Sequence, residues 1–173
     1  MKSRNRRYLV PLAAILLALA LPLPVPAQSS ASSVGLGVAV GLAFPQGSTA
    51  GIPITNWRTS FNWGFYVNIP IISTLHLTPT SELYRLGGSN ATDFSLAFKF
   101  IVPLPRLDLY AGLVPGLTAV TDLIAPNVGL LAGASFPLVG NLDLFVQGKY
   151  SWLFEGGGSL RVLHANTGIL FVF

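Results

Sequence analysis

Cysteine is absent from the 173-residue chain, which excludes disulfide bonds and thiolate metal ligands. Histidine occurs only twice, at His76 and His164, so neither a histidine metal site nor a metal cofactor is expected. Charged residues make up 9% of the chain, well below the roughly 25% that is usual for soluble domains. After residue 27 no uninterrupted apolar run reaches the length of about 18 residues that a membrane-spanning helix needs. A chain this apolar therefore requires an explanation other than helices.

The first 27 residues have the composition of an export signal. Residues 1–8 are basic and lack acids, residues 9–27 are apolar, and Val25 and Ala27 form a small-residue cleavage site. We expect cleavage before Gln28, leaving 28–173 as one domain. The alternative is an uncleaved membrane anchor, but the prolines of this segment would interrupt a spanning helix. The interrupting prolines are Pro11, Pro22, Pro24 and Pro26.

The formal net charge of +4 belongs to the predicted signal. Removing 27 of 173 residues leaves 146, in which six basic and six acidic residues balance. The basic residues are Arg58, Arg85, Lys99, Arg106, Lys149 and Arg161, and the acidic ones are Glu82, Asp93, Asp108, Asp122, Asp143 and Glu155. Because no basic cluster remains, nucleic-acid binding is not expected.

Apolar residues recur in the mature chain with a period of two. In the segment 57–69 every second residue is large and apolar, apart from Thr59, and the residues between them are mostly small or polar. Successive side chains of a strand point to opposite faces, so the pattern indicates strands with one apolar face. It predicts eight strands, at 34–44, 56–69, 74–86, 92–102, 107–119, 126–137, 142–155 and 159–173. Each is long enough to cross a bilayer as a tilted strand, which takes about 9–11 residues.

The connections between these strands alternate in character. Pro70, Pro103 and Pro137 each follow a strand and precede a short turn and a Leu-polar-Leu start, which predicts tight turns at one end. The other connections are richer in Gly, Ser and Thr, and 44–55 is the longest. This difference between the two ends is typical of outer-membrane barrels.

A soluble β-sandwich or lipocalin-like barrel is the alternative, because it too alternates apolar and polar residues. The first predicted strand argues against it. Large residues such as Val38 and Leu42 alternate there with only glycine and alanine. Small residues suit the crowded inside of a narrow closed barrel, whose bulky side chains then face lipid.

The C-terminal residues Asn166, Gly168, Phe171 and Phe173 form the pattern polar-x-Gly-x-x-aromatic-x-aromatic at the chain end. This pattern resembles the assembly signal of bacterial outer-membrane proteins. Together with the export signal and the eight strands, the mature chain resembles the small outer-membrane β-barrel superfamily. That group includes the transmembrane domain of outer-membrane protein A and the X- and W-type barrels. The resemblance implies that the barrel-assembly machinery recognises these four residues during insertion.

We therefore expect an all-β, eight-stranded, antiparallel, up-and-down transmembrane β-barrel. It would be a monomer in the bacterial outer membrane, exported through the periplasm, with both termini on the periplasmic side. Its expected surroundings are outer-membrane lipid and lipopolysaccharide. A structural or interaction role in the cell envelope is expected first, and a narrow porin-like conduit for a small or hydrophobic solute is the alternative.

Strand alternation places a group of charged residues on the inward face. The predicted lumen charges are Arg58, Glu82, Asp93, Lys99, Lys149 and Glu155, with Asp143, His76 and His164 on the same face. A turn near Pro70 would bring Arg58 opposite Glu82, with Asp93 at the same level on the next strand. Because buried charges must pair, this group predicts a filled lumen, and a polar gate is the alternative.

An enzymatic interpretation starts from His164. The segment "LHANTG" resembles the His-x-Ser-Asn stretch of lipid A deacylase barrels, but Asn166 stands where those enzymes have serine. A histidine without a nucleophile and an orienting acid does not form a catalytic triad. No enzymatic activity is predicted.

Overall fold

The structure, a computed structural model, describes residues 33–48, 58–121, 123–155 and 158–173. Eight strands account for nearly all of these residues. They are β1 (Gly35–Ser48), β2 (Ser60–Ile72), β3 (Leu75–Leu86), β4 (Ser89–Leu104), β5 (Leu107–Val120), β6 (Leu123–Val139), β7 (Leu142–Glu155) and β8 (Gly158–Val172). The predicted export signal, most of the segment 44–55 and Trp57 lie outside the described residues.

Each strand pairs antiparallel with the next, and β1 also pairs with β8, which closes the sheet into a barrel. Gly35, for example, lies opposite Asn68 of β2 and opposite Val172 of β8. The predicted eight-stranded antiparallel barrel is confirmed. No helix in the part of the chain that the structure describes is long and apolar enough to cross a membrane.

The two faces of the sheet follow the period-two pattern. On β2, Phe61 and Phe65 are 61% and 52% exposed, whereas Asn62 between them is fully buried. The inward face of β1 carries the small residues, as expected, and they allow close approach. A Cβ built on Gly41 would lie 2.1 Å from the backbone oxygen of Ala165 on β8. Most large apolar side chains therefore point outward, and the inward face carries mainly small or polar ones.

One end of the barrel, called here the turn end, carries the start of β1 at Gly35, the C-terminal Phe173 and the connections 73–74, 105–106 and 140–141. The pairing register shifts between Pro70 and Ile72 and between Pro137 and Val139. Proline lacks the N–H that a regular ladder requires, so it is accommodated beside such irregularities. The three predicted proline turns thus lie together.

The opposite end, called here the loop end, is tighter than the sequence pattern predicts. β4 begins at Ser89 and β6 at Leu123, three residues earlier than expected for each. Gly87 and Gly88, with φ of 59° and 96°, form a two-residue turn between the paired Leu86 and Ser89. A hairpin turn with two positive φ angles favours glycine. The prediction of looser loops was therefore wrong for this connection and for 121–122.

Candidate functional site

The interior of the barrel centres on two carboxylates and one ammonium group. Glu82 of β3 and Asp93 of β4 are directly paired across the two strands. Lys149 of β7 crosses the lumen, forms a close ion pair with Glu82, and places Nζ 3.2 Å from Asp93 Oδ2. All three side chains are at most 3% exposed. Two neighbouring carboxylates repel each other, so the shared lysine is what allows both to be buried.

Neutral polar groups satisfy the remaining carboxylate oxygens. The Tyr66 hydroxyl donates a hydrogen bond to Glu82, and Asn166 Nδ2 donates to Glu82 Oε1 at 2.7 Å. The Ser95 hydroxyl donates to Asp93. Nearby, Asn127 Nδ2 donates to the Thr118 hydroxyl at 2.8 Å. Hydrogen bonding to the ionised form lowers the cost of burying these charges.

His164 extends the network along β8. Asn62 Nδ2 donates to His164 Nδ1 at 3.0 Å and to Asn166 Oδ1 at 2.9 Å. The same ring nitrogen of His164 lies 4.0 Å from Glu82 Oε2, and the ring packs edge-on against Tyr84. We call the connected set the lumen network. It comprises Asn62, Tyr66, Glu82, Asp93, Ser95, Thr118, Asn127, Lys149, His164 and Asn166.

The network contains a combination of residues that sequence reasoning missed. Ligand atoms of Glu82, Asp93 and His164 lie within 4.8 Å of one another, a grouping that could hold a divalent cation. The ammonium group of Lys149, however, contacts both carboxylates. The ammonium group of Lys149 therefore already provides the positive charge that a bound cation would supply to these carboxylates.

The loop-end side of the network is filled by apolar side chains. We call this set the apolar plug, and Leu86, Leu153, Leu160 and Val162 within it are at most 2% exposed. Its members are Ala43, Tyr84, Leu86, Ala91, Val120, Leu153, Leu160 and Val162. Along β8, Leu160 and Val162 belong to the plug, and His164 and Asn166 follow in the network. The polar centre is thus covered on its loop-end side by packed hydrocarbon.

A cavity of about 40 Å³ lies on the turn-end side of the network. Its lining includes Asn68, His76, Lys99, Tyr110 and Asp143. This volume holds only a few water molecules. Asn68 joins His76 to Thr78 by side-chain hydrogen bonds of 2.9–3.2 Å.

Lys99 differs from Lys149 although both were predicted as lumen charges. Its side chain is buried, with Nζ 4.8 Å from the centroid of the Tyr110 ring. Among the described side chains, no carboxylate lies within ion-pair distance of Lys99. Lys99 therefore has a cation–π contact in place of the ion pairs of Lys149.

One of the six predicted lumen charges lies elsewhere. Arg58 is exposed at the loop end, before β2 begins, and Gly64 is the residue that pairs with Glu82. The predicted opposition of Arg58 and Glu82 was wrong, because the turn at 73–74 lies beyond Pro70 and strand alternation does not extend to Arg58. The side chain of Glu155 is outside the described residues. Glu82, Asp93, Lys99 and Lys149 are all buried within the lumen.

The four residues of the terminal pattern divide between the two faces. Gly168 faces inward opposite Ala39, and a Cβ on it would lie 2.6 Å from the ring of Phe145. Phe171 and Phe173 point outward, 43% and 65% exposed, with their rings in edge-to-face contact. Asn166 belongs to the lumen network, a role that the terminal pattern did not predict. The sequence feature that could have indicated this role is the position of Asn166, a polar residue on the inward face of β8.

Comparisons with known proteins connect this architecture to outer-membrane proteins. No protein family matches the sequence, and no curated protein matches it significantly. Among solved structures, Neisserial surface protein A is 14% identical, with a TM-score of 0.65 over 81% of this chain and 97% of that protein. The outer-membrane enzyme PagL is 9% identical, with a TM-score of 0.50 over 79% of this chain and 98% of PagL. The N-terminal barrel domain of Pseudomonas aeruginosa OprF is 14% identical, with a TM-score of 0.48 over 82% of this chain and 98% of that domain.

The predicted resemblance to small eight-stranded outer-membrane β-barrels is confirmed at the level of the fold. One of these similar structures is an enzyme, so the fold does not decide the activity.

Proposed function

We propose that the chain is an integral protein of the bacterial outer membrane, exported through the periplasm, with a closed lumen and a structural or interaction role in the envelope. The observation that carries this proposal is the inverted arrangement of the barrel. Large apolar side chains such as Phe61, Phe100 and Ile124 are more than 60% exposed on the outer face, while the described carboxylate side chains and both described lysines are buried inside. A barrel with this arrangement is stable when its outer face meets hydrocarbon.

Location is tested by expressing the full chain in a Gram-negative host and separating the membranes on a density gradient. We expect the protein in the outer-membrane fraction. Unheated samples should contain a folded form whose mobility in gels differs from that of the boiled, unfolded protein. Recovery in the inner membrane or the soluble fraction would contradict the proposal.

The closed lumen supports a structural role over a conduit. The apolar plug covers the loop-end side of the lumen network, and Lys149 spans the lumen between opposite walls. An eight-stranded barrel is only wide enough for its own side chains or one small ligand. In planar lipid bilayers we expect the refolded protein to remain silent where a porin control conducts. Steady unitary currents that change in Glu82→Ala would establish the conduit.

The absence of enzymatic activity is also part of the proposal. His164 is fully buried, and its hydrogen-bond partner among the described residues is Asn62. A membrane lipid on the outer face cannot reach this imidazole without opening the barrel. Incubation with lipopolysaccharide followed by mass spectrometry of lipid A is expected to show unchanged acyl chains. Loss of an acyl chain would establish the enzyme.

The envelope role predicts a phenotype. Disruption of the gene in its bacterial host is expected to raise sensitivity to detergents and to large antibiotics that the outer membrane excludes. Wild-type protein should restore resistance. Unchanged sensitivity, with the protein shown to be expressed in the parent strain, would contradict a structural role.

A further inference from the structure

The outer surface has a groove at the loop end, between β2 and the β3–β4 hairpin. Its volume is about 750 Å³. We call it the arginine groove, and the residues that define it are Arg58, Phe61, Trp63, Leu83, Arg85 and Asn90. The groove forms because β2 and β3 separate there. Their last described backbone pair toward the loop end is Trp63–Leu83, whereas β3 stays paired with β4 up to Leu86–Ser89.

A side-chain bridge holds the separated strands in place. The Ser60 hydroxyl donates to the backbone oxygen of Arg85 at 2.9 Å and accepts from its backbone N–H at 3.1 Å. These two hydrogen bonds of the Ser60 side chain take the place of the backbone hydrogen bonds that β2 and β3 no longer form at this level. The backbone that carries Arg85 is therefore fixed, and its side chain is exposed on the outer face.

The groove carries positive charge without a compensating acid among the described residues. Arg58 and Arg85 are both exposed, and the residues that line the groove include no carboxylate. The acidic side chains that the structure describes are all buried in the lumen, at Glu82, Asp93, Asp108 and Asp143. Guanidinium groups match phosphate in geometry and charge.

The position of Arg85 places this charge at the edge of the apolar band. Arg85 lies ten residues along β3 from its turn-end residue Leu75. At a rise of about 3.4 Å per residue and a tilt of about 40°, this corresponds to roughly 25 Å along the barrel axis. The apolar band of an outer-membrane barrel is also about 25 Å tall. Arg85 therefore reaches the level at which lipid headgroups begin.

Exposed aromatic residues of β2 line the groove beside Arg85 and on its membrane-centre side. Trp63 is 41% exposed and Phe61 is 61% exposed, both on the outer face of β2. Trp63 also packs edge-on against Phe65. A groove with guanidinium groups near the headgroup level and aromatic rings beside and below them fits an anionic amphiphile with its acyl chains in the bilayer.

We infer that the arginine groove binds the phosphorylated headgroup of an acylated glycolipid in the outer leaflet, with Arg58 and Arg85 on phosphate and Phe61 and Trp63 against an acyl chain. This inference rests on the proposed location in the outer membrane. It goes beyond that location because it assigns one binding site to particular residues of the barrel.

The test uses full-length mature protein refolded in phosphatidylcholine nanodiscs and titrated with bisphosphorylated lipid A. Arg58→Gln/Arg85→Gln is expected to weaken binding about tenfold or more, the change that corresponds to about 1.4 kcal/mol. The matched control, Arg106→Gln/Arg161→Gln, removes the same charge from exposed positions outside the groove and should bind within about twofold of wild type. Lipid A without phosphates should bind wild type about tenfold more weakly.

Three results of these titrations would overturn the inference, and a fourth comes from competition with inorganic phosphate. The three are wild-type affinity in the groove variant, an equal loss in the control variant, or equal binding of dephosphorylated lipid A. Inorganic phosphate that displaces lipid A at millimolar concentration would show a free-phosphate site and would also overturn the glycolipid assignment. Membrane fractionation distinguishes a failure of this inference from a failure of the proposed function. A protein that reaches the outer membrane but binds no lipid A would contradict only the lipid-binding inference.

Discussion

The inner and outer faces of the same strands differ in what stabilises them. Inside, Lys149, Glu82 and Asn166 are fixed by named partners at short distances. Outside, side chains on the same strand such as Leu163 and Ile169 are 37% and 46% exposed, so much of their surface faces away from the protein. The inner face thus depends on the identity of each side chain, whereas the outer face depends on apolar character. Matched pairs of substitutions, some within one face and some across the two faces, test this difference.

The largest effect is expected at Lys149. Lys149→Met leaves Glu82 and Asp93 buried side by side without a cation, which should lower the free energy of unfolding by about 3–5 kcal/mol. Lys99→Met is the matched control, because Lys99 is also buried but contacts a tyrosine ring. Its effect should stay within about 1 kcal/mol. Urea unfolding of refolded protein in detergent micelles measures both. Equal losses would show that the ion pairs of Lys149 contribute nothing specific.

The second-largest loss of stability is expected in the apolar plug. Leu160→Ala removes a fully buried side chain and should cost about 2–4 kcal/mol through lost packing and a cavity. Leu163→Ala, three residues along the same strand, changes a side chain that is 37% exposed on the outer face. Its cost should be about 1 kcal/mol or less. The same unfolding measurement compares them, and a larger loss for Leu163→Ala would reverse the proposed roles of the faces.

Two glycines on opposite faces provide a steric comparison. A Cβ on the inward Gly168 would lie 2.3 Å from the backbone oxygen of Val38, so Gly168→Ala should cost about 1–3 kcal/mol. On the outward Gly148 the nearest atom, the backbone oxygen of His164, would lie 3.9 Å away. Gly148→Ala should change stability by about 0.5 kcal/mol or less. Similar melting temperatures for the two variants would contradict the tight inner packing.

The smallest effect on stability, but a clear one on assembly, is expected at the C-terminus. Phe173→Ser changes an exposed terminal side chain and should shift the free energy of unfolding by less than about 1 kcal/mol. In cells it should lower the outer-membrane level and leave unfolded protein in the periplasm, because the terminal pattern that it changes is the predicted assembly signal.

The control for Phe173 is Phe154→Ser, which alters an outward phenylalanine near the loop end of β7. Immunoblots of fractionated cells compare the two variants. Normal assembly of Phe173→Ser, or an equal defect in Phe154→Ser, would mean that the terminal pattern is ordinary lipid-facing surface.

The sequence predicted the fold well because its strongest signal is local. Alternation over 92–102 and 142–155 is a property of neighbouring residues, and the strands there appear within a few residues of the predicted bounds. The position of Asp93 next to Glu82 on the neighbouring strand was also predictable, since a short hairpin sets the register between consecutive strands. The loop end was less predictable because two glycines with positive φ shorten a connection that reads as a loop.

The lumen network could be predicted only in part. Lys149 lies on β7 and Glu82 on β3, so their contact across the lumen does not follow from the pairing of neighbouring strands. The same holds for Asn62 and Asn166, which are neutral and stood out only as inward polar residues. Arg58 was misplaced because alternation was extended past the end of its strand.

The sequence by itself determined the number of strands, the face of the residues within them and the terminal aromatic pattern, because these depend on periods of a few residues. Only the tertiary structure decided which inward charges meet. Closure of the sheet brings β7 within reach of β3 and β4, so Lys149 contacts two carboxylates while Lys99 lies over a tyrosine ring. The separation of β2 and β3 at the loop end, which the sequence pattern did not predict, placed Arg58 and Arg85 in one groove. Contacts of this kind depend on distances across a closed surface, which no short-range pattern encodes.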